Sequence, residues 1–127
     1  MEKNLFENAP IISSYSRAQA IDDGFLVDLS EADGAKGHFK FPLACTVGVW
    51  AIIEKAVNNP KWHNDLAGVL HDICWMSRFG RAVDPTTRLF KVVIKGAGRK
   101  SKFTFKIVCG PGDTPEPVLT IMLPEED

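Results

Sequence analysis

Apolar residues fall at helical spacing through the first half of the chain and alternate with polar ones from about residue 86 onward. Leu43 to Val57 is apolar almost all round, with Glu54 and Lys55 as interruptions, and reads as a helix buried on most sides. Pro42 can open it, because the first helical N–H has no intrahelical partner to lose, and Asn58-Asn59-Pro60 closes it. A second long helix is expected from near Asn64 or Asp65. Leu66, Val69, Leu70, Ile73 and Met76 form its apolar face, Asp65, Asp72, Arg78 and Arg81 lie mostly opposite, and Asp84-Pro85 ends it. Beyond Arg88 the period becomes two. Phe90, Val92 and Ile94 share one strand face, Phe103, Phe105, Ile107 and Cys109 the next, and Leu119, Ile121 and Leu123 the third. Gly96-Ala97-Gly98 supplies the first turn, and a longer connection follows Cys109.

Shorter elements precede these. Ser16-Arg17-Ala18-Gln19 has the form of a capping box, so a short helix should begin there and stop at Gly24. Phe25–Leu29 reads as a strand, residues 1–13 as a loosely held arm with one apolar pair at Ile11 and Ile12, and residues 124–127 as a solvated tail. The expected fold class is α+β, with two long helices packed on one face of a C-terminal antiparallel meander. That meander has three strands, or four if Phe25–Leu29 joins it. Its other face is left for water or a partner.

With 127 residues, 45% of them hydrophobic, the chain suits one domain that folds without a metal or disulfide staple. Formal net charge is -1, so any electrostatic partner must be recognised by a local patch. Cys45, Cys74 and Cys109 are odd in number and widely spaced, as buried reduced thiols would be. His38, His63 and His71 show no tight ligand spacing with them, so neither a metal nor a cofactor is expected. The start of the chain lacks the features of a secretion signal, and the longest apolar run falls short of the about 20 residues of a membrane span. The expected setting is the cytoplasm, with no membrane partner.

Three places could carry function. Seven of the 15 basic residues fall in the 19 positions from Arg88 to Lys106, where no acidic residue intervenes. Lys91, Lys95, Lys102 and Lys106 should share the solvent face of this hairpin as a basic patch for phosphates, nucleic acid or an acidic protein surface, or simply as guards against sheet-to-sheet aggregation. Aromatic side chains on which bases could stack are missing from those outward positions. The second place is Cys109-Gly110-Pro111-Gly112-Asp113, which could expose N–H groups to an anion or form a plain turn. Cys109 has no base beside it in sequence, and no catalytic residue is assigned. The third is Tyr15, Arg17 and Asp22 around the short helix, a polar pocket or merely caps and surface ion pairs. Trp50, Trp62 and Trp75 are expected in the core; one at the surface would instead mark a binding site.

Two stretches carry a resemblance. Ser14 to Gly24 (SYSRAQAIDDG), running on to Val27-Asp28-Leu29-Ser30, and Cys109-Gly110-Pro111-Gly112-Asp113 with Glu116 to Asp127 (EPVLTIMLPEED) resemble an uncharacterised family of small proteins from bacteria, phages and plasmids. Val49-Trp50 and Asp72-Ile73-Cys74-Trp75 fit the same pattern. The resemblance implies a binding role toward host factors, DNA or signalling nucleotides and brings no catalytic residue with it. It also sets Tyr15, Arg17 and Asp22 beside Gly110, Gly112 and Asp113 as a site for an anionic ligand. The leading expectation is a non-catalytic binding protein, monomer or homodimer, that contacts a protein or a small anion. The alternatives are an enzyme or sequestering pocket for a small anion such as a nucleotide, and nucleic-acid binding by Arg88–Lys106.

Overall fold

A computed structural model of the chain describes residues 15–127. The arm expected over residues 1–13 lies outside the described residues. In chain order the elements are α1 (Arg17–Asp22), β1 (Leu26–Asp28), β2 (Leu43–Thr46), α2 (Val47–Val57), α3 (Leu66–Ser77), β3 (Arg81–Asp84), β4 (Thr87–Val93), β5 (Lys102–Pro111) and β6 (Pro117–Met122). The six strands form one sheet in the order β1-β2-β6-β5-β4-β3. β6 runs parallel to β2, and every other pairing is antiparallel.

This corrects the expected architecture. The molecule is built on a six-stranded mixed sheet with helices of 6, 11 and 12 residues, not on two long helices over a C-terminal meander of three or four strands. The main error lies at Leu43. A continuous apolar run fits a strand buried on both faces as well as it fits a buried helix. Leu43, Ala44 and Cys45 are such a strand, all three buried between β1 and β6. Thr46 ends it and caps α2, its hydroxyl accepting the Val49 N–H at 3.4 Å. A second correction concerns Arg81–Asp84. These residues form edge strand β3 and not the tail of a helix; every one is exposed, so no alternation betrays the strand. The third is that Gly110 and Pro111 extend β5 instead of opening a loop.

α2 and α3 cover one face of the sheet. Val49 and Ile53 of α2, with Leu70 and Ile73 of α3, close over Phe90, Phe105 and Ile121. Phe105 is fully buried and packs edge-on to Phe90 with ring centroids 6.0 Å apart, a geometry aromatic quadrupoles favour. The opposite face is covered at its β2–β6 end and carries exposed lysines at β4 and β5. Ala20, Ala44, Val118 and Met122 are buried yet lie outside this main cluster. By register, Ala44 pairs with Thr120 while Cys45 pairs with Ile121, so Ala44 and Thr120 look away from α2 and α3. α1 is tied to that second face through an Arg17 to Thr120 hydrogen bond of 2.8 Å. The capping box of α1 is present, with Gln19 N–H donating to Ser16 Oγ at 3.0 Å and Ser16 N–H to Gln19 Oε1 at 3.0 Å.

Side-chain amides fasten the helix pair to the hairpin. Asn64 Nδ2 donates to the carbonyls of Lys95 (2.6 Å) and Ala56 (3.2 Å), and Asn59 Nδ2 to that of Gly96 (3.0 Å). Trp50 packs half-buried against the core, whereas Trp62 and Trp75 are exposed, contrary to their expected burial. Among the described residues no helix is long and apolar enough to cross a membrane.

Two glycines separate backbone strain from packing. Gly24 (φ +85°) and Gly34 (φ +91°) both lie in the left-handed region, which costs an L-residue about 1–2 kcal/mol. A Cβ on Gly24 meets nothing, but one on Gly34 collides with the backbone carbonyl of Ala67 in α3. In urea unfolding, Gly24→Ala should cost about 1 kcal/mol. Gly34→Ala should cost more than ~3 kcal/mol or abolish folding, because rigid backbone must move. Equal losses would contradict this packing of residues 30–42 against α3.

Candidate binding site

The two motif stretches do meet, and their polar groups satisfy one another. Asp113 accepts the backbone N–H of Arg17 at 2.8 Å and of Ala18 at 2.9 Å. These are among the orphan donors of α1, and a carboxylate is the group that a helix start attracts. The chain thus supplies its own anion where a ligand was expected. The Arg17 guanidinium, half-buried, donates to Thr120 Oγ1 at 2.8 Å and to the Leu119 carbonyl at 2.7 Å. Burial lowers its pKa, and the Asp28 and Asp113 carboxylates oppose that shift. Tyr15 donates to Asp23 at 2.8 Å, and Asp22 is exposed. Gly110 pairs with Val118, and a Cβ on Gly112, just past the end of β5, would come 2.7 Å from the Val118 side chain, which would have to shift.

The basic residues of the hairpin split into two groups. Lys91 pairs with Thr104, Lys102 with Val93 and Lys106 with Leu89, which sets the three lysines on the sheet face turned away from α2 and α3. Lys95 lies beyond the end of β4, its ammonium 5.6 Å from the ring centre of Trp62.

A cavity of about 500 Å³ opens elsewhere, on the α2/α3 side of the sheet. It lies where residues 38–41, the C-terminal end of α3 and the β3–β4 hairpin converge. Its apolar floor comes from the sheet at Ile107, Cys109 and Leu119, and Phe39 and Phe41 add to the walls. Lys40, Arg78 and Arg88 bring three cations to it. Asp84 is the one carboxylate among the lining residues, and it is engaged locally, accepting Thr86 N–H at 2.8 Å and Thr86 Oγ1 at 2.9 Å. Those hydrogen bonds hold its pKa below the usual carboxylate range. Arg78 gives one N–H to the His38 carbonyl at 3.1 Å, and Arg88 one to the Arg78 carbonyl at 3.5 Å. A guanidinium has five N–H donors, so both retain donors for a ligand.

His38 Nε2 lies 3.0 Å from His71 Nδ1, a pair 33 residues apart. Burial pushes His38 below the ordinary 6.5, His71 and Arg78 push it the same way, and a backbone hydrogen bond at Gly34 opposes them. No spacing in the sequence announces this cluster. Arg78 reads as helix surface and His38 as loop until the turn around Gly34 brings them together. Among the described residues no three His, Cys, Asp or Glu side chains gather as a metal site would need.

Sheet and cavity define a mixed α and β protein with a cationic recess. The chain belongs to a family of unknown function (DUF6573), whose model matches residues 1–127. No curated protein and no solved structure matches it.

Two measurements test this site. Burial, aided by the charge of Glu126, pushes the Cys45 thiol up to about 12, and burial pushes Cys74 up to about 11, while Cys109 sits half-buried on the cavity floor. A thiol reagent near neutral pH should therefore modify one cysteine quickly in the folded protein, and none in Cys109→Ser. More than one fast thiol would contradict the described burial. The second measurement follows the linkage of His38. Its folded pKa lies below its unfolded one, so below about pH 6.5 the unfolded chain binds a proton that the native state resists. Stability should fall as pH drops through that window, and His38→Gln should flatten the fall in thermal melts. Identical slopes in both proteins would remove His38 as the cause.

Proposed function

We propose that the protein is a non-catalytic binding protein whose ligand is a small anion with an apolar or aromatic body, held in the cavity between α3 and the β3–β4 hairpin. One observation carries the reading: three cationic side chains face an apolar floor, and the one carboxylate nearby is already hydrogen-bonded within its own turn. The volume lies within the 300–1,000 Å³ usual for small-molecule sites. An apolar floor favours a flat or branched hydrophobic body, while guanidinium forks favour a carboxylate or phosphate head. A nucleotide satisfies both demands. The resemblance of the end motifs to small proteins of bacteria, phages and plasmids fits an accessory role. Unpaired thiols at Cys45 and Cys74 fit a reducing, cytoplasmic setting.

The test is calorimetric titration of the protein with nucleoside 5′-monophosphates and aromatic carboxylates, alongside Arg88→Gln and Arg78→Gln. Each substitution should weaken binding by about 10- to 100-fold, as loss of a charged hydrogen bond does. The ligand should also protect Cys109 from thiol reagents. Absence of binding across both ligand classes, or affinity unchanged in Arg88→Gln, would overturn the reading.

A further inference from the structure

A second open feature lies at the edge of the sheet. β3 pairs with β4 only at Thr87, Arg88 and Leu89, so Phe90–Val93 has no strand on that side among the described residues. In an antiparallel strand the N–H and C=O of successive residues point to opposite neighbours. The Ile94 N–H donates to the Ser101 carbonyl at 2.8 Å, on the β5 side. Counting back by twos sends Val92 and Phe90 the same way, and leaves the backbone groups of Lys91 and Val93 facing the open edge. The pairing of Arg81 with Leu89, two residues further back, agrees with this phase.

The surroundings of this edge are shaped for a guest. A cleft of about 360 Å³ runs between it and α3, bordered by Trp75, Met76, Lys91, Val93 and Lys102. Trp75 is 47% exposed and Val93 51%, large apolar surfaces that a finished sheet edge would cover. On a strand laid along the edge, side chains beside Phe90 and Val92 would turn toward Trp75 and Met76 and should be apolar. Those beside Lys91 and Val93 would turn to the lysine face, where Lys91 and Lys102 call for carboxylates. A second copy of this chain is a poor occupant, because an antiparallel pairing of two β4 edges centred near Lys91 would set Lys91 against its own counterpart, and no carboxylate lies on this strand to answer it. The one carboxylate at the cleft, Asp72, belongs to α3 and so lies on the wall that the apolar side chains would meet.

We propose that the open edge of β4 at Lys91 and Val93 docks an extended segment of a partner protein in which acidic and apolar residues alternate, adding it as a seventh strand beside Trp75 and Met76. The backbone pairs give the affinity and the alternation gives the selectivity.

The test uses the full chain, amide hydrogen exchange resolved by residue, and two synthetic peptides. One alternates valine with glutamate, and the other alternates valine with lysine. In the free protein the Lys91 and Val93 amides should exchange fast, while Phe90 and Val92 are protected. The glutamate peptide should slow Lys91 and Val93 at least tenfold and the lysine peptide should not. The double variant Lys91→Glu, Lys102→Glu should reverse that preference while keeping the exchange pattern of the core. Three outcomes would overturn the proposal: protection of Lys91 and Val93 in the free protein at every concentration, which means that the chain covers its own edge; protection that grows with protein concentration, which means a second copy sits there; or glutamate-peptide effects that map away from this edge.

Discussion

The structure depends on one insertion, the C-terminal strand β6 between β2 and β5. Without it the sheet is two pieces, a β1-β2 pair and the β5-β4-β3 ribbon. The parallel register, Leu43 with Leu119 and Cys45 with Ile121, joins them, and Leu119 donates its N–H to the Pro42 carbonyl at 2.9 Å. Flanking groups fix the strand from several sides. Arg17 holds the Leu119 carbonyl and the Thr120 hydroxyl. Glu126 accepts the Leu123 N–H and the Thr46 hydroxyl, both at 2.7 Å, which brings a carboxylate to the start of α2. The cavity inherits its floor from this seam, because Leu119 comes from β6 and Ile107 and Cys109 come from the strand beside it.

The acidic residues explain why a chain of net charge -1 can present cationic sites. Asp113 is engaged at the start of α1, Glu126 near the start of α2, and Asp84 in the β3–β4 turn. Each carboxylate keeps its charge but is held by backbone N–H or hydroxyl donors of its own chain. Among the described residues no hydrogen bond links Arg78 or Arg88 at the cavity, or Lys91 or Lys102 at the sheet edge, to a carboxylate. Overall composition hides this pairing, since it depends on which acid has a local partner.

The sequence is most legible where local chemistry decides. Ser16 and Gln19 mark the start of α1, and the alternation of Phe90, Val92, Phe103 and Phe105 marks a pair of strands with one buried face. It is least legible where burial is complete or absent. Leu43–Cys45 are buried on both faces and mimic a helix, while Arg81–Asp84 are exposed throughout and show no period. Topology is illegible for a different reason: parallel pairing of residues more than 70 positions apart leaves no local trace. The candidate sites divide along the same line. Arg17 and Asp113 sit in recognisable stretches, and the structure shows them bonded to each other. Arg78, Arg88 and His38 converge only through tertiary folding, and exposed Trp75 reads as core by residue type although it stands three residues from both Asp72 and Arg78, on the polar side of its helix.

The seam at β6 is the claim on which the cavity and both motif contacts stand, and NMR distance contacts in the folded full-length chain test it most directly. Backbone protons of Cys45 should give cross-peaks to those of Ile121, and those of Cys109 to Leu119, with extended-chain rather than helical contacts along Leu43–Thr46. Helical contacts through Leu43–Thr46, or cross-peaks from β2 to a strand other than β1 and β6, would contradict the architecture and the cavity floor with it.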